Sequence, residues 1–160
     1  MRKVGLILFL VFFVSLSLGF EISAFAGMEL SGKSRPYVGT RIGTLSSGLS
    51  LMLEAYYPLS SFEEIEGINI EEIEFLEIDP YLYLGLPILS TLIYVGVAPI
   101  VIFDVTNTSF ILYSTEIFHA KAGFRFGEGI IIFVEGLTTL STSFETFGIY
   151  AISAGIGIGF

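Results

Sequence analysis

Ser153-Ala154-Gly155-Ile156-Gly157-Ile158-Gly159-Phe160 ends the chain, and its two parities differ in kind. Ile156, Ile158 and Phe160 are bulky and apolar, whereas Ser153, Gly155, Gly157 and Gly159 are small. Side chains alternate across a strand, so a strand here has one greasy face and one nearly bare face. A soluble protein seldom ends on such a strand with nothing to cover its edge. A membrane barrel does, because closure pairs the last strand with the first and lipid takes the apolar face.

The same alternation recurs upstream. Tyr37 to Thr44 sets Gly39, Arg41 and Gly43 against Val38 and Ile42. Leu49, Leu51, Leu53, Ala55 and Tyr57 oppose Ser50, Met52, Glu54 and Tyr56. Phe118, Ala120, Ala122, Phe124 and Phe126 oppose His119, Lys121, Gly123 and Arg125, and Ile130, Ile132 and Val134 leave Glu135 on the other parity. Each time the charges fall opposite the bulky apolar residues, as a lumen opposes a lipid face.

Tyr81 to Phe103 carries no formal charge and is long enough for a membrane helix. Its Pro87, Pro99, Gly85 and Gly96 disfavour a helix interior, and its Val, Ile and Tyr suit strands. Split at Ser90-Thr91 it becomes a hairpin. Pairing Leu89 with Leu92 sets Gly85 against Gly96 and Tyr83 against Ala98. Tyr81, Tyr83, Gly85, Tyr94, Gly96 and Ala98 then face the lumen. Leu82, Leu84, Leu86, Ile88, Ile93, Val95, Val97 and Val101 face lipid.

At the other end, Arg2 and Lys3 precede an apolar run from Val4 to Leu18, and Ala24-Phe25-Ala26 has the small-x-small form of a processing site. This predicts a signal peptide over 1–26, cleaved after Ala26, and one domain over 27–160. The net charge of −9 excludes nucleic acid as a partner. With no cysteine there are no disulfides, thiolate metal sites or thiol nucleophiles. Gln is absent and Asn occurs only at Asn69 and Asn107, a composition that leans toward a thermophilic source.

The final octet resembles the C-terminal β-signal of bacterial outer-membrane barrels, with Ser153, Gly155, Ile158 and Phe160 at the matching positions. Tyr94-Val95-Gly96-Val97-Ala98-Pro99 resembles the fifth strand of the small eight-stranded outer-membrane barrels, and Ala122-Gly123-Phe124-Arg125-Phe126-Gly127 the end of their sixth. The resemblance implies an all-β, antiparallel up-and-down barrel of about eight strands in the outer membrane of a Gram-negative-type bacterium. It also implies that the assembly machinery for barrels reads the C-terminus. The superfamily includes envelope anchors, adhesins, transporters and lipid A-modifying enzymes, so it does not settle activity.

Strand count is seven or eight, because only the short stretch from Gly27 to Ser34 is left for a first strand. The turns Leu45 to Gly48, Ser90-Thr91 and Gly127 to Gly129 belong at the periplasmic end, where barrel turns are short. The connections Ser60 to Ile70, Asp104 to Thr108 and Thr139 to Thr146 would then be extracellular. A second topology splits Phe110 to Phe126 near Ser114.

The candidate site is the polar lumen: Arg41, Glu54, His119, Lys121, Arg125 and Glu135. Pairing Phe126 with Ile130 puts Lys121 opposite Glu135, and pairing Thr44 with Leu49 puts Arg41 diagonal to Glu54. Such charges either line a pore or fill a narrow barrel as an ion-pair network, and the filled lumen is the expectation. Barrel deacylases of lipid A carry a serine two residues beyond the histidine. Lys121 stands there, so the nucleophile is missing. No enzyme activity, cofactor or metal is expected, because His119 is the only histidine. The acids Glu63, Glu64, Glu66, Glu71, Glu72, Glu74, Glu77 and Asp79 read as a solvated segment, with divalent cations as a possible partner. Outer-membrane lipid and the assembly machinery are the other expected partners.

Overall fold

Alternation of apolar and small or polar residues is the pattern of a sheet with two unlike environments, and in this chain it closes on itself. The computed structural model describes residues 20–31, 34–61 and 73–160. Its strands are β1 (Glu21–Glu29), β2 (Arg35–Gly43), β3 (Gly48–Pro58), β4 (Phe75–Ile88), β5 (Thr91–Pro99), β6 (Val101–Asp104), β7 (Ser109–Leu112), β8 (Ile117–Phe126), β9 (Ile130–Ser141) and β10 (Thr146–Gly159). All pairings are antiparallel, and the order β3-β2-β1-β10-β9-β8-β5-β4 closes through β3–β4 into an eight-stranded barrel. The all-β barrel expectation therefore holds. No helix among the described residues is long and apolar enough to cross a membrane, and Tyr81 to Phe103 folds as strands.

The apolar parity faces outward. Leu49, Leu84, Leu86, Val95, Ile132, Val134, Ile152, Ile156 and Ile158 are all exposed, whereas Tyr81, Tyr83, Tyr94, Ile131 and Phe133 are buried in the lumen. An exposed apolar belt around a buried polar interior inverts the soluble arrangement and suits a bilayer.

β5 and β6 form one long strand interrupted at Ile100, and β7 and β8 another. The β6–β7 hairpin pairs along Phe75–Glu77 of β4 and rises above the barrel wall. Thus Phe110 to Phe126 does break near Ser114, but β7 extends a hairpin and does not become a wall strand. The turns at 44–47, 89–90 and 127–129 lie at one end, beside the paired Phe20 and Phe160. The described residues 59–61 and 73–74 and the connections at 105–108 and 142–145 lie at the other.

The register differs from expectation by two residues in three hairpins, one of them β2–β3, where Arg41 directly faces Glu54. Tyr83 opposes Gly96 and Gly85 opposes Tyr94. The turn is Leu89-Ser90, with Leu89 at φ 55°. A Cβ at Gly96 would lie 2.2 Å from Tyr83 Cδ1, so the ring occupies the space that the glycine leaves. Likewise Gly123 opposes Glu135, and Lys121 opposes Leu137. A shift of two preserves parity, so every face assignment stands.

The first strand takes in the residues of the expected processing site. Ala24 and Ala26 lie inside β1, which pairs with β10 and β2 along its full length from Glu21 to Glu29. Cleavage after Ala26 would leave only Gly27–Glu29 of this strand and expose the facing edges of β2 and β10. The first strand begins well before Gly27, which is why Gly27 to Ser34 looked too short. The preceding residues 1–19 lie outside the described residues.

Candidate functional site: the polar lumen

Inward-pointing residues of the barrel form a charged layer between two end cavities. Arg41 on β2 lies over the Phe133 ring, 3.3 Å from its centroid, with no exposed side-chain surface. Its Nη2 is 2.6 Å from Glu21 Oε1 and its Nη1 is 3.3 Å from Glu135 Oε2. Lys121 on β8 donates to Glu54 and to Glu135, the latter at 2.6 Å, and all three side chains are wholly buried. Its ammonium also lies 4.7 Å from the Tyr81 ring and 4.9 Å from that of Tyr56. Buried charges persist when each is paired and hydrogen-bonded. Here the remaining carboxylate sites are filled by hydroxyls: Tyr56 and Tyr83 each donate to Glu54 at 2.6 Å, Tyr94 to Glu135 at 2.8 Å and Ser153 to Glu135 at 3.2 Å.

The structure gathers Arg41, Glu54, Lys121 and Glu135 into this layer. Lys121 meets Glu135 as expected, although diagonally. Arg41 stands directly opposite Glu54 yet forms its ion pairs with Glu21 and Glu135. Glu54 is already held by Lys121 and two tyrosines. Arg125 is apart, near the end with the short turns, where its Nε lies 2.8 Å from Glu21 Oε2. His119 is apart at the other end.

Sequence reasoning missed Glu21 by assigning it to the leader. The alternation of Glu21, Ser23 and Phe25 against Ile22 and Ala24 would have found it. It also placed Glu77 and Asp79 in a solvated acidic segment. They share the inward parity of Tyr81 and Tyr83 on β4, and His119 contacts both. Glu63, Glu64, Glu66, Glu71 and Glu72 lie outside the described residues; Glu74 is exposed.

The C-terminal positions have clear surroundings. A Cβ at Gly155 would sit 2.3 Å from Phe133 Cζ and 2.5 Å from the Ala24 carbonyl oxygen. Glycine therefore lets a lumen ring and the closing strand approach together. Ser153 faces the charged layer, Ile158 faces outward, and Phe160 exchanges backbone hydrogen bonds with Phe20 at 2.8 and 3.2 Å.

Above the layer, a cavity of about 500 Å³ is lined by Glu29, Arg35, Tyr37, Glu77, Ile100, His119, Leu137 and Thr139, among others. Below it, a second of about 580 Å³ is bordered by Glu21, Leu45, Arg125 and Phe160. Between them the lumen is occupied by side chains.

A closed eight-stranded barrel with an apolar belt outside and charges inside defines the class: an integral outer-membrane β-barrel. The fold is shared with the N-terminal β-barrel domain of Pseudomonas aeruginosa OprF at 14% identity, with a TM-score of 0.55, covering 89% of this chain and 98% of that one. Neisserial surface protein A (NspA) aligns at 11% identity with a TM-score of 0.49, covering 89% and 96%. No family model and no curated protein matches the chain.

Proposed function

We propose that this chain is a structural, non-catalytic barrel of the outer envelope whose lumen is sealed by its own side chains. The observation that carries this reading is the buried layer of Arg41, Lys121, Glu21, Glu54 and Glu135, which stands between the two end cavities. Eight strands leave an interior just wide enough for side chains to fill. Reconstituted in planar bilayers, the protein is expected to show no stable, large, open channel. Recordings with such channels at moderate voltage overturn the proposal.

Passage of a small hydrophobic molecule is the second reading, and the largely apolar outer cavity favours it. A lateral exit beside a proline would support it further. Pro87 pairs in register with Leu92, and the next pair, Ile88 with Thr91, follows it. Pro99 with Phe118, by contrast, is the last pair of β5 with β8, and the pairing with β4 lapses from Ala98 to Val101 before it resumes at Ile102. The continuity beside Pro87 supports the structural reading, and the interruption beside Pro99 is where a lateral exit would be sought. For catalysis, Lys121 occupies the position at which the deacylases need serine. Incubation with lipopolysaccharide should release no acyl chain by mass spectrometry of lipid A; release that depends on His119 would reverse that assignment. The alternation ending at Phe160 serves, in this reading, as the address for the assembly machinery, so deleting Phe160 should lower the amount of folded barrel in the membrane.

A further inference from the structure

Charge is balanced in the middle of the lumen but not near its outer end. Glu21, Glu54 and Glu135 are answered by Arg41, Lys121 and Arg125. Glu77 and Asp79 have no lysine or arginine partner among the described residues; each is ion-paired only with His119. Asp79 is fully buried, and the His119 side chain is only 9% exposed. A carboxylate as buried as Asp79 is held by a proton, a cationic partner or a metal.

The three groups are arranged to supply one. His119 Nδ1 lies 2.8 Å from Asp79 Oδ2 and 3.5 Å from Glu77 Oε1. One ligand atom from each residue lies within 4.8 Å of the other two. Asp79 Oδ1 accepts the Val101 N–H at 3.1 Å, which orients the carboxylate as an outer hydrogen bond orients a metal ligand. Glu77 and His119 also line the outer cavity. Thr139, directly opposite His119 on β9, lines the same cavity. Its hydroxyl is buried and makes no protein hydrogen bond, so it is placed to serve a further ligand on the cavity side.

We propose that Glu77, Asp79 and His119 bind one divalent first-row transition-metal ion, with its remaining coordination facing the outer cavity. An imidazole nitrogen with carboxylate oxygens suits zinc and its neighbours. Calcium seeks six to eight oxygen ligands, and magnesium favours oxygen ligands and retained waters. On binding, the metal takes the Nδ1 lone pair, any proton held between Nδ1 and Asp79 leaves to water in the outer cavity, and the imidazole carries its hydrogen on Nε2. The two carboxylates then offset the charge of the ion. The site ties β4 to β8 at the level where the long β5–β6 strand is interrupted at Ile100, so the ion acts as a clamp on the outer rim.

The test is calorimetric titration of zinc into the full folded chain in detergent after chelator treatment. Saturable uptake of one equivalent is expected, with affinity reduced at least tenfold in His119→Ala and in Glu77→Gln. Glu74→Gln, at an exposed acid of the same end, should bind as the unmodified chain does. Folding of each variant is checked by heat-dependent gel mobility. If His119→Ala does not fold, Glu77→Gln carries the comparison, because that side chain is partly exposed. Two results overturn the proposal: no saturable zinc uptake by the folded unmodified chain, or uptake that neither substitution weakens. The latter would assign the zinc to the exposed acids.

Discussion

Lys121 shows what a single residue contributes to this interior. Its ammonium bridges Glu54 and Glu135, the second of which Arg41 also meets, at a point with no water-exposed side-chain surface. Lys121→Met keeps the bulk of the stem but leaves both carboxylates in low dielectric. Breaking a buried pair by removing one partner costs about 3–5 kcal/mol. That loss should appear as a lower urea midpoint for folded gel mobility in lipid vesicles, and a midpoint unchanged within error would show that the layer contributes little to stability. Gly155 is limiting for a different reason. Its substitution by alanine meets both the Phe133 ring and the Ala24 carbonyl oxygen. The ring can turn, but the backbone of the closing strand can move only by disturbing the seam. Overpacking of this kind typically costs about 1–3 kcal/mol, so Gly155→Ala should lower the same midpoint, by less than Lys121→Met does.

Among the elements, the β6–β7 hairpin depends on a local polar turn. Asp104 accepts the backbone N–H of Asn107 at 2.9 Å and its side-chain amide at 2.8 Å. These hydrogen bonds favour the ionised carboxylate and hold its pKa below the usual range for Asp. The folded pKa therefore lies below the unfolded one. The stabilising contribution is complete above the unfolded pKa and is lost as pH falls through the folded value. Amide exchange within Val101–Leu112 should accelerate in acid relative to the wall strands, after correction for intrinsic rates, and Asp104→Ala should remove that difference. The first strand makes a second prediction. Because Glu21 pairs with both Arg41 and Arg125 and opens the closing strand, we propose that processing falls before Glu21. Ser17-Leu18-Gly19 offers a small-x-small site there. Intact mass of the protein extracted from the membrane should include Glu21, and a chain starting at Gly27 would refute the role of β1 in closure.

For the whole molecule, closure and sealing are linked. The ion-pair layer draws on β1, β2, β3, β8 and β9, so the same contacts that fill the lumen bind distant parts of the wall together. This is why the absence of channels and the stability of the barrel should fail together. Removing Arg41 and Lys121 in one chain should both lower the unfolding midpoint and introduce small conductance steps. Conductance gained without any loss of stability would mean that the layer is a gate and not a brace.

The alternation along each strand was enough to establish the barrel, its lipid face and most of its lumen, because parity depends only on local backbone geometry. Arg41, Glu54, His119, Lys121, Arg125 and Glu135 all point inward for that reason. The exposed sides of Ile156 and Ile158 follow equally from the last octet. Parity is blind to shifts of two residues, so it left open the registers at Tyr83–Gly96, Gly123–Glu135 and Arg41–Glu54; at the first of these the Tyr83 ring settles over Gly96. It is equally blind to which charges meet across the lumen. Arg41 stands opposite Glu54 but pairs with Glu21 and Glu135, since those partners come from strands far apart in sequence. The small-x-small spacing of Ala24 and Ala26 matched a processing site, yet both alanines belong to the strand that closes the barrel. Only the tertiary structure gives β1 partners on both sides, because those pairings join strands far apart in sequence.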